Sequence, residues 1–446
     1  MKIPHGFAAA ACILAASCMN AAAGAPLETR VGTDHADALY RCGEPAEFTV
    51  SVLDGTTLVR TGAVDIVLDD FGTNVFARKS FSLEHGNPFA VRGTLHAPGF
   101  LRISVSGPGD GRKVWSAGYE PERIRAATGV PRDFDAFWSA ARRRLAAEVP
   151  LDARISKVPE RSTGRFDFYR ISFASFGRRV HGYMSVPADS SLAPFPLELQ
   201  ISAAGFGDWT NNMSGEPDRI CVFFGVYPFE PDWRWRTSGL KEKYTGMDGA
   251  LRRRYSCGSY ATAGAGVSCE EYFFYPVILG IDRAVDWLAA RPDVDRARIV
   301  CKGESQGAGL GMALTALNRN IRRATFAVPA LTDTLAGDAG RQSGWPRPVE
   351  SLVNSGDRDV ARHVMPYFDA VCFASRITCP VRFAVGFSDT TCPPHCIYAA
   401  FNAVASCDKD ILCGIGMGHG CWGRISDALR EWRRAGGKCS SRPLPR

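Results

Sequence analysis

Beyond its first residues this 446-residue chain contains no apolar run long enough to cross a bilayer, so no membrane span is expected of it. It has no C-x-x-C pair, and its eight histidines do not stand at metal-ligand spacing beside its cysteines. Those absences weigh against a zinc module, and nothing in the sequence calls for a metal or a cofactor. Charge of one sign is also scarce: the formal net charge of +7 is modest for this length. The short clusters Arg142-Arg143-Arg144 and Arg252-Arg253-Arg254 read as solvated helix faces. No RNA- or DNA-binding motif accompanies them, and nucleic acid is not an expected partner.

What is present begins with a leader. Met1-Lys2, the Ala-rich apolar run from Phe7 to Ala16 and the small residues Ala21-Ala22-Ala23-Gly24 read as a secretory signal over residues 1–25. Leu14-Ala15-Ala16-Ser17-Cys18 resembles an imperfect lipoprotein processing site, which would leave a lipidated Cys18. The expectation is therefore an exported protein, periplasmic or secreted. Fifteen cysteines less Cys12 and Cys18 leaves thirteen. In an exported chain, Cys257/Cys269, Cys392/Cys396 and Cys407/Cys413 are candidate disulfides, while Cys301, in an apolar run, reads as an inert core thiol.

From residue 26 to 120 short β-type runs alternate with turn residues, as in Ala46–Val52, Val64–Leu68 and Phe100–Val105. Their period-two alternation predicts a small all-β, immunoglobulin-like sandwich, which could pack on the next domain, shape the rim of its site or bind glycan. Pro121 to Pro131 reads as a crossing, and Asp133 as the cap of a helix that runs through Leu145. Over residues 121–436 apolar strands then alternate with helices. The strands are expected at Leu197–Ile201, Ile220–Phe224, Arg298–Cys301, Ala324–Val328, Val381–Val385 and Asp410–Leu412, with a helix from about Tyr272 to Arg291. That order predicts an α/β domain with a mainly parallel sheet and a site at the carboxyl ends of its strands. Residues 437–446 form a tail.

Gly303-Glu304-Ser305-Gln306-Gly307 is entered from an apolar strand and left through the small residues Ala308-Gly309-Leu310-Gly311. A strand that turns sharply into a helix strains the central residue, tolerates only small neighbours and lifts the serine hydroxyl off the sheet, as in a nucleophile elbow. The backbone N–H of Gln306 then points to where an oxyanion would form. With the chain order Ser, acid, His, the acid is Asp389, after the strand Val381–Val385, and the base is His419 in Gly416-Met417-Gly418-His419-Gly420. His395 is a rival base, six residues beyond Asp389, and reads instead as the start of the next helix. A second oxyanion donor is expected from Ala203-Ala204-Gly205-Phe206-Gly207, through the N–H of Phe206.

These residues resemble the acetyl xylan esterase and cephalosporin C deacetylase group, carbohydrate esterase family seven, from roughly Asp133 to Trp432. The matching pieces are Asp133-Phe134-Asp135-Ala136-Phe137-Trp138, Arg283-Ala284-Val285-Asp286, Pro292-Asp293-Val294-Asp295, Gly303-Glu304-Ser305-Gln306-Gly307, Asp389-Thr390-Thr391-Cys392-Pro393-Pro394 and Gly418-His419. The resemblance implies an α/β-hydrolase that removes acetyl groups from small oxygen esters, often on sugars, through the Ser305, His419 and Asp389 set. Its partner would be a small-molecule or oligosaccharide acetyl ester. The family usually carries His-Gly-Tyr-Gly at the oxyanion loop, whereas this chain has Ala204-Gly205-Phe206-Gly207, which keeps a backbone donor and loses the tyrosine hydroxyl. Residues 208–272 also depart from the family's text, and their aromatic residues Trp209, Tyr227, Trp233, Trp235, Tyr255 and Tyr260 include candidate sugar-stacking groups, with Trp209, Tyr227 and Trp233 the named pocket residues. Phe223 and Phe224 read as core. The added sandwich puts the family's ring-like homo-oligomer in question. A serine peptidase or a broader carboxylesterase on the same fold, and an inactive glycan-binding surface protein, remain as other readings.

Overall fold

A computed structural model of the chain describes residues 27–108, 111–205, 215–230, 259–352, 357–420 and 423–434. Among these, the N-terminal β-rich region forms two sheets. One runs Glu28–Thr33, Ala46–Asp54, Thr57–Leu58, with Phe89–Gly93 on the Ala46–Asp54 strand. The other has the order Leu39–Tyr40, Lys113–Tyr119, Gly99–Ser106, Ala63–Asp69, Val75–Ser82. Every second residue of Ala46–Val52 is turned inward, and Phe48, Val50 and Val52 meet Ile66, Leu101 and Ile103 in a buried layer between the sheets. The alternation read from the sequence is thus the inner face of a sandwich.

The rest of the described chain is built on a nine-stranded sheet in the order Arg154–Lys157, Phe166–Ser175, Arg178–Pro187, Ile220–Phe224, Phe195–Ile201, Val294–Glu304, Arg323–Ala327, Val381–Gly386, Lys409–Gly414. The last six of these strands are mutually parallel. The first four pair antiparallel. In the central parallel strands the buried positions are largely apolar, as at Leu197, Leu199 and Ile201, and Val381–Gly386 is buried along its whole length, Arg382 included. The antiparallel hairpin Phe166–Pro187 is an element the sequence reading missed. Arg165, Arg170, Arg178 and Arg179 break up its apolar alternation, although Gly177, at φ +59°, marks its turn.

Helix Phe134–Glu148 begins where expected, but Asp133 makes no side-chain capping bond; its carboxylate accepts from the Tyr367 hydroxyl instead. Trp138 donates from its indole nitrogen to the Tyr367 carbonyl at 3.0 Å, and Arg376 pairs with Asp135. The block Asp133–Trp138 is therefore the seat of this helix on residues 367–376. Arg142 is not simply solvated: it pairs at 2.7 Å with the buried Asp282 on helix Phe274–Ala289. Arg252 to Arg254 lie outside the described residues. Cys392, Cys396, Cys407 and Cys413 are free thiols, so the pairings Cys392/Cys396 and Cys407/Cys413 do not form; Cys257 lies outside the described residues. Cys301 is fully buried, and burial pushes its thiol pKa up to about 12, as an inert core position requires. Among the described residues no helix is long and apolar enough to cross a membrane.

Candidate active site

Strand Val294–Glu304 runs into helix Gln306–Leu317 through one residue, Ser305, held at φ 50°, ψ −120°. That conformation is costly for a residue with a side chain, so the surroundings must impose it. The glycines show how. A Cβ on Gly303 would lie 2.2 Å from the Gly307 carbonyl oxygen, and one on Gly307 would lie 2.2 Å from that of Ile201. The elbow is closed so tightly that backbone sits on backbone. Ser305 N–H donates to the Ala327 carbonyl and the Ser305 carbonyl accepts from Ala330 N–H, both at 2.9 Å, locking the turn to the neighbouring strand.

Asp389 and His419 follow the last two strands of the sheet, Val381–Gly386 and Lys409–Gly414, with Arg323–Ala327 standing between these and the elbow strand. Asp389 follows the strand Val381–Gly386 and is fully buried; its Oδ1 accepts from the N–H groups of Thr391 and Cys392 at 2.8 and 2.9 Å. Its Oδ2 lies 2.8 Å from His419 Nδ1, and His419 Nε2 lies 2.9 Å from Ser305 Oγ. Two loops are tied together here, since Ser388 N–H donates to the Met417 carbonyl at 2.8 Å. Burial on its own would lower the His419 pKa, but the hydrogen bond and charge of Asp389, with Glu304 farther off, outweigh it and hold the pKa above 6.5. This arrangement can take a proton from a serine hydroxyl and keep the imidazole in the tautomer that accepts it.

His395, the rival base, lies in helix Pro394–Ala403, where its Nε2 is 2.8 Å from the Gln342 carbonyl oxygen; burial drives its pKa down to about 3. It is held in the core away from Ser305's partner position. Gln306 opens its helix, so its N–H is one of the donors a first turn leaves without an intrahelical acceptor. Its buried side chain was not anticipated: Oε1 accepts from the Tyr260 hydroxyl, while Nε2 donates to the Ser202 and Ala203 carbonyls at 3.3 and 3.4 Å. Gln306 thereby ties the elbow to the start of the loop in which the second oxyanion donor is expected. Phe206 itself lies outside the described residues, as do Trp209, Trp233, Trp235 and Tyr255.

Tyr227 and Tyr260 correct the pocket reading. Both are fully buried, with ring centroids 5.3 Å apart in an edge-on contact, and they belong to the core along with Phe223 and Phe224. A tyrosine enclosed by other rings presents no open face to a sugar. Cys392 is a further residue at the centre: its sulfur and donor atoms of Asp389 and His419 all lie within 4.8 Å of one another. Such a set could hold a soft metal ion, although the backbone and imidazole bonds to Asp389 already account for where its carboxylate points. The spacing Asp389-x-x-Cys392 carries this proximity in the sequence.

Comparison with known proteins places the chain in a family. A family model described as Acetyl xylan esterase (AXE1) matches residues 120–433. The acetyl esterase Axe7A of Xylanibacter ruminicola is 28% identical over 385 residues, covering 85% of this chain and 84% of its own length. Among solved structures, the acetyl xylan esterase from Paenibacillus sp. R4 superposes with a TM-score of 0.58 at 22% identity. Acetyl xylan esterase 1 from Thermoanaerobacterium sp. JW/SL YS485 does so with a TM-score of 0.56 at 19%. Each of these two matches covers 71% of this chain and 98% of the other, so they share the fold of the large sheet. With the family matched across most of its length, this chain belongs to the acetyl xylan esterase (AXE1) family and is a carboxylic ester hydrolase.

Proposed function

We propose that the protein is an exported serine esterase that removes acetyl groups from carbohydrates through an acyl-enzyme. The observation that carries this reading is the position of His419, whose two ring nitrogens face Ser305 Oγ at 2.9 Å and Asp389 Oδ2 at 2.8 Å. In the first step Ser305 Oγ attacks the acetyl carbonyl carbon while His419 Nε2 takes its proton. The oxyanion is assigned to the Gln306 N–H, with the Phe206 N–H, expected from the sequence, as the second donor. The ester C–O bond then breaks, His419 returns the proton to the departing sugar hydroxyl, and the acetyl group stays on Ser305. In the second step water gives its proton to His419 and attacks the acetyl carbonyl; acetate leaves and Ser305 regains its proton. Asp389, buried and anchored by two backbone N–H groups, holds the imidazole and stabilises its charged form.

Acetyl ester specificity is supported by family membership and by the acetyl esterase to which most of the chain aligns. Export rests on the leader read over residues 1–25, and the division at about residue 120 on the change from sandwich to parallel sheet. The test is hydrolysis of 4-nitrophenyl acetate against the butyrate and octanoate esters, with wild type and Ser305→Ala in parallel. Strong acetate preference that the variant loses is the expected result. Equal use of the longer esters would point to a broader carboxylesterase, and no Ser305-dependent turnover of any ester would end the esterase mechanism and leave a peptidase or a glycan-binding protein.

A further inference from the structure

The N-terminal sandwich does more than sit beside the large sheet: several of its side chains end on the loops that carry Asp389 and His419. Ser116, buried on strand Lys113–Tyr119, donates its hydroxyl to the carbonyl of Phe387, two residues before Asp389. The ring of Phe100 meets that of Phe387 edge-on at 5.0 Å. Trp115 lies against Gly416, three residues before His419. A Cβ on Gly416 would come within 2.0 Å of the indole, so the loop and the ring are in direct contact at a residue held at φ +67°.

A further contact reaches the far side of the Asp389 loop. The carbonyl of Phe71 accepts from Gln342 N–H at 2.8 Å, and the Gln342 side chain donates to the carbonyl of Thr390, the residue after Asp389, at 2.6 Å. Phe71 is itself fixed, fully buried, with its N–H on Asp69 and the Arg102 guanidinium over its ring. Among the described residues the backbone bonds that lock Ser305 come from Ala327 and Ala330, not from the sandwich. The two solved acetyl xylan esterases are matched over 98% of their length by 71% of this chain, and the family match starts at residue 120, beyond the sandwich.

We infer that the sandwich is a positioning element for the reaction, with Trp115 and Ser116 setting the His419 and Asp389 loops against Ser305. This rests on the proposed Ser305, His419 and Asp389 mechanism. A small misplacement of an acid or base costs rate far more than it costs substrate binding. Loosening the brace should therefore lower kcat by about tenfold or more while KM stays within about twofold. It should also weaken the Asp389 contact that raises the His419 pKa, so the acidic limb of the pH–rate profile moves to lower pH.

The experiment compares full-length Trp115→Ala, Trp115→Phe, Ser116→Ala and Ser305→Ala with wild type, using 4-nitrophenyl acetate from acidic to mildly alkaline pH. Phe81→Ala, which removes a stacked pair with Phe89 at 4.6 Å inside the sandwich, serves as a reference for simple destabilisation. The expected result is a fall in kcat with a displaced acidic limb in Trp115→Ala and Ser116→Ala, recovery in Trp115→Phe, and unchanged kcat in Phe81→Ala at a comparable loss of thermal stability. If Trp115→Ala does not fold, Ser116→Ala, which removes one buried hydroxyl and no packing volume of consequence, decides the matter. Wild-type kcat and an unmoved pH profile in Ser116→Ala, with Ser305→Ala inactive, would overturn the brace and leave the mechanism standing. Activity retained in Ser305→Ala would instead remove the mechanism on which the brace depends.

Discussion

Ser305 and the pair Asp389 and His419 are held by different means. The serine is fixed through one tight turn and the strands beside it: a Cβ on Gly303 would meet Gly307 and one on Gly307 would meet Ile201, while Ala327 and Ala330 supply the hydrogen-bond partners. Asp389 and His419 stand on two loops whose supports, Gln342 and the sandwich residues Phe100, Ser116 and Trp115, come from distant parts of the chain. The strained Ser305 is built at a single strand–helix turn, where glycine geometry allows close backbone approach. Residues that must meet across the sheet are placed by long-range packing.

Substitutions on the two sides separate these kinds of support. The largest effect expected among them is that of Asp389→Asn, which keeps the shape but favours the wrong imidazole tautomer; kcat should fall by about 10⁴-fold with little change in fold. In wild type, kcat/KM should decline with falling pH about a midpoint above 6.5, because a base with a raised pKa keeps its proton to higher pH and only the neutral imidazole can accept one. The residual activity of Asp389→Asn should show that midpoint moved downward. A steady-state pH series on both proteins checks the sign.

Next in size is the pair Gly303→Ala and Gly416→Ala. The first forces a methyl onto a buried backbone carbonyl and should cost about 3 kcal/mol of stability, read by urea or thermal unfolding. The second meets an indole ring at positive φ and should cost about 1–2 kcal/mol. Adding Trp115→Ala should recover part of the Gly416→Ala loss, since the two share one contact, and should recover none of the Gly303→Ala loss. Equal rescue of both would show that elbow and loop are not independently supported.

A smaller effect is expected where the local and distant supports meet. Gln306→Ala keeps the backbone N–H but removes the side-chain amide that donates to the Ser202 and Ala203 carbonyls, and should lower kcat by about tenfold. Tyr260→Phe, which removes one hydroxyl donor to the Gln306 side chain, should cost about 1 kcal/mol of stability and a few-fold in kcat. Kinetics and unfolding on the two variants rank them.

The same division explains what could be read from the sequence. The elbow was legible because its requirement for small residues at Gly303 and Gly307 is written in five consecutive positions, and the parallel strands because apolar residues recur at their buried positions, as at Leu197, Leu199 and Ile201. His419 followed from chain order. The hairpin Phe166–Pro187 was hidden because arginines on its exposed positions masked the alternation. Tyr227 and Tyr260 looked available to a sugar because composition does not tell an enclosed ring from an open one. Asp133 looked like a cap because its real partner, Tyr367, is far along the chain. Cysteine spacing suggested bridges at Cys392/Cys396 and Cys407/Cys413, yet buried thiols such as Cys392 and Cys396 serve as small apolar groups beside the acid loop.

The most direct test of the acyl-enzyme account is peptide mapping of the protein quenched during turnover of 4-nitrophenyl acetate, at a pH low enough to slow deacylation. The account predicts an acetyl group on the peptide that carries Ser305, absent in Ser305→Ala. Acetate release without any acetylated peptide, or acetylation of another residue that persists in Ser305→Ala, would contradict it.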